Sequence, residues 1–290
     1  MRPESQYEDI NFSQFAYEPT TILPPINTLV TRLVANQTTT LPIDFHYGLL
    51  PLKEQRTVEQ QLHSIERNRD YDPITNTLRR RENPLYHDTV HDHVSRMLQM
   101  LTDLQAFSLK RGENRTDYLG LAQVLNFSRA TTIAIVHDIG EFGPGDLPRV
   151  IAAIIGDAAY QKIRQQYEIE ERASFTKKTL PIFRRDSRHH VSLAYNSYED
   201  RFNNPNDIES HLIHVLDKLD ALVFIHARGI PMSISVMTGG LKSAIDGLHV
   251  LHNALPQDAW EEVSAFVQQL VYSLDNADWN EMIGACLHAA

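Results

Sequence analysis

Apolar residues recur with a helical period along most of this chain. Between residues 86 and 109, Val90, Val94, Met97, Leu98, Leu101 and Leu104 fall at i, i+4, i+7, i+8, i+11 and i+14, drawing one stripe on an α-helix. A shorter pattern covers Tyr118 to Phe127. Another runs from Ser128, a suitable N-cap, to the His137-Asp138 pair, with Gly140 as a stop. Further helices are predicted over 149–157, 160–180, 211–222, 243–255 and 260–274, with Gly239-Gly240 and Pro256 as breaks. Lys53 to Asp70 reads as a charged helix seated by Val58, Leu62 and Ile65 and ended by Asp72-Pro73. No stretch alternates with period two, so the expected fold class is all-α.

Residues 1–52 depart from this periodicity. Prolines at 3, 19, 24, 25 and 42, with Thr38-Thr39-Thr40, interrupt any long pattern and leave Ile26 to Val34 as one short amphipathic piece. The expected organisation is an irregular N-terminal arm over 1–52, a helical domain over 53–228, and extra C-terminal helices over 229–290 packed on the same domain. The arm is read as a decoration lying on that domain, with homo-oligomer contacts as the alternative.

Composition narrows the function classes. A chain of 290 residues with 42% apolar and 22% charged residues can bury a sizeable core. The net charge of −10 argues against a nucleic-acid polymer or an anionic membrane as the main partner, though not against a small phosphorylated substrate. Cys286 is the sole cysteine, which excludes a disulfide framework and a multi-cysteine zinc site. No apolar run reaches the ~20 residues that span a bilayer, and Met1-Arg2-Pro3-Glu4 lacks a signal-peptide core. A cytoplasmic location is expected.

The stretch from His137 to Pro148 carries the candidate chemistry. An imidazole and a carboxylate, His137-Asp138, follow the apolar run Ile133-Ala134-Ile135-Val136, and Glu141 and Asp146 come close behind. Charged groups crowded against a buried helix are costly unless paired or bound to a metal. The pair alone says little, since His87-Asp88 and His91-Asp92 also occur. The longer pattern resembles the HD-domain phosphohydrolases, in the branch of the bacterial 5'-deoxynucleotidases: a His-Asp pair, Glu141 three residues after the Asp, then Gly145-Asp146-Leu147-Pro148. The resemblance covers roughly residues 79 to 228 and implies an HD-domain helical bundle.

It also implies two further ligands. The upstream one falls among His87, His91 and His93; the last two flank the apolar stripe on opposite sides, so periodicity cannot choose between them. The family's pattern fits Thr89-Val90-His91-Asp92-His93-Val94-Ser95-Arg96-Met97, with Asp for Glu, and favours His93. A competing register, Tyr86-His87-x-x-x-His91, resembles the cyclic-nucleotide phosphodiesterases and makes His91 the ligand. The downstream ligand is the first Asp of Asp217-Lys218-Leu219-Asp220. Arg79-Arg80-Arg81 lies where the family places an Arg-Trp pair that contacts the nucleotide; otherwise the run is a solvated face. That tryptophan is absent, Trp260 and Trp279 being the only ones, a departure that bears on sugar selectivity.

Two imidazoles and two carboxylates suit one divalent transition metal ion, Mn, Co, Ni, Fe or Zn. Glu141 and Asp146 are left to handle water and leaving group. The resemblance implies hydrolysis of a nucleoside 5'-monophosphate to nucleoside and phosphate. The alternatives are a dNTP triphosphohydrolase and a di-iron oxygenase, the latter needing two extra histidines from His189, His190, His211 and His214.

Overall fold

The computed structural model describes residues 60, 62–67, 70–72, 77–79, 87–113, 117–142, 144, 147, 152, 155–230 and 234–272. The arm over 1–52, Arg80, Arg81 and Asp146 lie outside them. The described chain is mostly helical. Beside its helices it has two small antiparallel ribbons: β1 (Glu66–Arg67) with β4 (Asp88–Thr89), and β2 (Asp70–Asp72) with β3 (Thr77–Arg79).

The helix α1 (Val90–Gly112) starts where its caps dictate. Thr89 is the N-cap: its Oγ1 accepts from Asp92 N–H at 3.1 Å and donates to Asp92 Oδ2 at 2.8 Å. The first helical N–H, on Val90, donates to Ile65 O at 3.0 Å, which ties α1 to the segment ahead of β1. The expected stripe is buried throughout, and His93 and Arg96 are buried with it. Each such apolar side chain contributes roughly 1.5–3 kcal/mol.

Beyond the short α2 (Leu121–Val124), α3 (Phe127–Val136) is the central helix. Ile133, Ala134, Ile135 and Val136 are all buried, and α3 touches α1, α5 (Arg188–Glu199) and α6 (Ile208–Ala227). A helical turn apolar on every side belongs inside. Next in the chain, α4 (Asp157–Ser174) runs on through a π turn, Phe175–Thr179. After α6, α7 (Ile234–Ala254) lies against it, and α8 (Gln257–Tyr272) packs on α1 and α2. One contiguous core runs from Leu62 to Val271.

Several expected boundaries move. The charged helix over 53–70 is described as helical only at residue 60 and Leu62–Ser64, and gives way to β1, because the backbone there pairs with β4. The stretch from Tyr118 to Phe127 yields only α2. Asn126, not Ser128, caps α3: its side chain accepts from Arg129 N–H at 3.0 Å, which lets Phe127 begin the helix and enter the core. Gly239-Gly240 lies inside α7 rather than breaking it. Gly240 faces Leu222 and Gly247 faces Val215 on α6, where small residues allow the two helices to approach closely. Gly140 is no helix stop either, since α3 ends at Val136. A Cβ there would lie 2.7 Å from Tyr195 Oη and 3.1 Å from Glu171 O, so the position has no room for a side chain.

Candidate metal centre

Because the last turn of α3, Ile133 to Val136, is wholly apolar, it carries the chain into the core, and its end delivers His137 there. His137 is the C-cap (φ −60°, ψ −38°), and its Nδ1 lies 2.9 Å from Ala134 O. A carbonyl only accepts, so Nδ1 holds the proton and Nε2 presents a lone pair. His93 on α1 repeats the arrangement: its Nδ1 meets Asp220 Oδ2 at 2.6 Å. The two Nε2 atoms face each other at 3.3 Å.

Carboxylates close in on the same point. Asp217 Oδ1 lies 3.4 Å from His93 Nε2. Asp138 places Oδ1 3.3 Å from His137 Nε2 and Oδ2 3.6 Å from His93 Nε2. Among the described residues, His93, His137 and Asp217 form a wholly buried group with ligand atoms within 4.8 Å of one another.

The surroundings hold these groups in their ionisation states. Asp217 Oδ2 accepts from Tyr198 Oη at 2.8 Å and Lys218 Nζ at 2.6 Å, which leaves Oδ1 to face the cluster. Burial pushes the Asp217 carboxyl up, but Lys218, His93 and His137 hold it well below the usual range. At Asp138 burial is likewise outweighed by His137, Arg67 and His93. Burial and the Arg67 guanidinium favour neutral His93, yet its bonds to Asp217 and Asp220 lift its pKa above the ordinary value.

Behind His93 lies a buried ionic chain. Arg96 donates to both Asp88 oxygens at 2.9 Å, and to Asp220 through Nε at 2.7 Å and Nη2 at 2.8 Å. Its guanidinium also sits 4.6 Å from the centre of the Phe224 ring. Burial pushes Asp220 up, but Arg96 and His93 hold it below the usual carboxylate range. A buried anion on Nδ1 fixes both the tautomer and the orientation of the imidazole, as metal-binding histidines require.

No family model and no curated protein matches this chain. Among solved structures, it is similar to a protein from Magnetospirillum magnetotacticum described as a predicted metal-dependent phosphohydrolase. The identity is 15% and the TM-score 0.43, over 76% of this chain and 97% of the other. At that level the likeness fixes neither substrate nor reaction.

The residues present fit a metal ion on their own terms. Two imidazole lone pairs facing at 3.3 Å repel unless a proton or a cation lies between them. A single proton would satisfy that pair alone. It would leave Asp138 Oδ2, buried and without a hydrogen-bond donor, still unsatisfied. A divalent cation answers all the converging groups together, and the N/O set excludes neither Zn nor the softer end of Mn to Ni.

The remaining candidates fall as follows. The ring of His91 does not join the cluster: it stacks on His63 with centroids 3.7 Å apart. Glu141 follows on the 3-10 turn Ile139–Phe142, its N–H donating to Asp138 O at 3.0 Å. Arg79 lies on β3 with its backbone opposite Asp70. His189 and His190 are exposed on α5. His211 Nε2 lies 3.2 Å from Asn204 O, and His214 Nε2 lies 3.0 Å from Ser243 Oγ, so both are engaged away from the cluster.

Sequence reasoning missed Arg67, whose Nη2 lies 3.8 Å from Asp217 Oδ1. Nothing in its neighbourhood marks it, because the expected helix hid the ribbon that delivers it. Asp220 left a fainter signal: three residues after Asp217, it shares a helix face with it.

Proposed function

We propose that this chain is an HD-type metal-dependent phosphohydrolase that cleaves a (deoxy)nucleoside 5'-monophosphate to nucleoside and orthophosphate. The metal dependence rests on one observation, the two opposed Nε2 lone pairs of His93 and His137 with Asp217 and Asp138 converging on them. The reaction class rests on the sequence resemblance carried by His137-Asp138, Glu141 and Gly145-Asp146-Leu147-Pro148. His93, His137, Asp138 and Asp217 would hold one Mn, Co, Ni, Fe or Zn ion, which when bound polarises a phosphoryl oxygen and acidifies water.

Side chains do the rest. Glu141 takes the proton of the attacking water as the new P–O bond forms. Asp146 returns a proton to the 5' oxygen as the ester P–O bond breaks. Arg67, beside Asp217, is placed to take charge from the phosphate, with Arg79, Arg80 and Arg81 as the sequence's own candidates. The engagement of His211 and His214 elsewhere counts against a di-iron oxygenase.

The test is a screen of metal-depleted full-length protein, reconstituted with each ion and offered nucleoside mono- and triphosphates. Orthophosphate release from a monophosphate is the expected result. Triphosphate release from a dNTP would replace the substrate. No hydrolysis in any combination would sink the proposal.

A further inference from the structure

Of the two histidines in the first turn of α1, His93 belongs to the buried centre and His91 does not. We infer that His63, His91 and Asp92 form a second, solvent-facing site for a divalent ion of the Zn, Ni or Co type. Each offers one ligand atom, and these atoms lie within 4.8 Å of one another. Two imidazoles and one carboxylate, with water completing the shell, is a donor set such ions accept.

The scaffold around the three residues is already fixed. Asp92 is held from one side, since Thr89 Oγ1 donates to its Oδ2 at 2.8 Å. Its Oδ1 is turned toward His91 Nδ1, 3.6 Å away. His63 comes from a different segment, yet that segment is pinned to α1 on both sides of it. Leu62 is buried in the core, Ile65 O accepts from Val90 N–H at 3.0 Å, and β1 pairs with β4 directly ahead of α1.

Burial grades the ligands as a loosely held ion requires: His63 is exposed, while His91 and Asp92 are half-buried. The rings now stack at 3.7 Å with their planes 28° apart. In that pose their in-plane lone pairs run alongside each other, so binding needs one ring to swing about its side-chain torsions. His63, the more exposed of the two rings, is the one to turn, and in turning it gives up its stack on His91. The second site is therefore weaker than the buried one.

Its position gives it a consequence. An ion there would clasp 62–67 to the first turn of α1, and this segment ends in Arg67, 3.8 Å from Asp217 Oδ1. Metal on the outer site would thus restrain the guanidinium that faces the inner one.

Titration of the untagged, metal-depleted full-length chain with Zn²⁺, with bound metal counted before and after dialysis, tests this. Two equivalents are expected, one surviving dialysis and one lost. His63→Gln, at an exposed position, should weaken only the second equivalent. The loss should be at least ~10–100-fold, the range seen on removing even an outer-shell partner. His91→Gln should do the same, while replacement of His189 and His190 should change nothing. Amide exchange across 62–67 should slow as the second equivalent binds. A single equivalent in the wild type would overturn the inference. So would a weak equivalent that survives in both His63→Gln and His91→Gln, or one that disappears with His189 and His190. The count is independent of any phosphatase activity, so failure here leaves the proposed reaction untouched.

Discussion

At Asp217, Tyr198 Oη and Lys218 Nζ occupy Oδ2, at 2.8 and 2.6 Å. This leaves the other oxygen aimed at His93. Tyr198→Phe or Lys218→Met would free Asp217 to turn, and each should weaken metal affinity roughly 10–100-fold, measured by competition with a chelator. His137→Ala or Asp138→Ala should remove metal and activity together. Glu141→Gln and Asp146→Asn should instead keep stoichiometric metal, with turnover falling ~10²–10⁴-fold for whichever residue moves the proton. Activity within a few-fold of wild type in both would sink the hydrolytic role of this motif. Proton and metal compete at His93, whose pKa is raised. Apparent metal affinity should therefore climb as pH rises through and above the ordinary imidazole range, and titrations at several pH values would read this directly.

Among the elements, the α6–α7 contact is the tightest to argue. A Cβ on Gly247 would lie 2.7 Å from Val215 Cγ2. Gly247→Ala should therefore cost about 1–3 kcal/mol despite the higher helix propensity of alanine. A denaturant midpoint unchanged or raised would mean that α7 can shift without loss. The same contact explains why Gly239-Gly240 misleads in sequence. A glycine pair signals a break when only local propensity is weighed, but close helix packing can outweigh that propensity.

Across the whole molecule, the ionic chain Asp88–Arg96–Asp220–His93 joins β4, α1 and α6 behind the centre. Asp220→Asn leaves Arg96 with Asp88 but uncouples His93. A loss near 3 kcal/mol, the lower end of the roughly 3–5 kcal/mol for breaking a buried pair, is expected together with weaker metal binding. The pH dependence follows from signs. Asp138, Asp217 and Asp220 all have folded pKa values below their unfolded ones. Their contribution is complete above the unfolded carboxylate range, about pH 4, and is lost as pH falls through the folded values. In chelator, the part of the stability owed to these carboxylates, read as the difference between wild type and Asp220→Asn, should hold from about pH 7 to 5 and then shrink as pH falls toward the folded values.

The hydrophobic pattern alone was enough to place α1 and the last turn of α3 and to mark His137-Asp138 as candidates. Val90 to Leu104 needs one buried face, and Ile133 to Val136 needs burial on all sides, so α1 and α3 follow from hydrophobic period alone. Such a run also forces whatever ends it, here His137-Asp138, toward the core. Between His91 and His93 the sequence could not choose, because both border the apolar stripe. The tertiary structure separates them: α6 brings Asp217 and Asp220 against His93, whereas His91 meets His63. Arg67 was beyond reach for the same reason. Its place depends on a two-residue ribbon with Asp88 and Thr89, and pairing between distant backbone segments leaves no period in the chain.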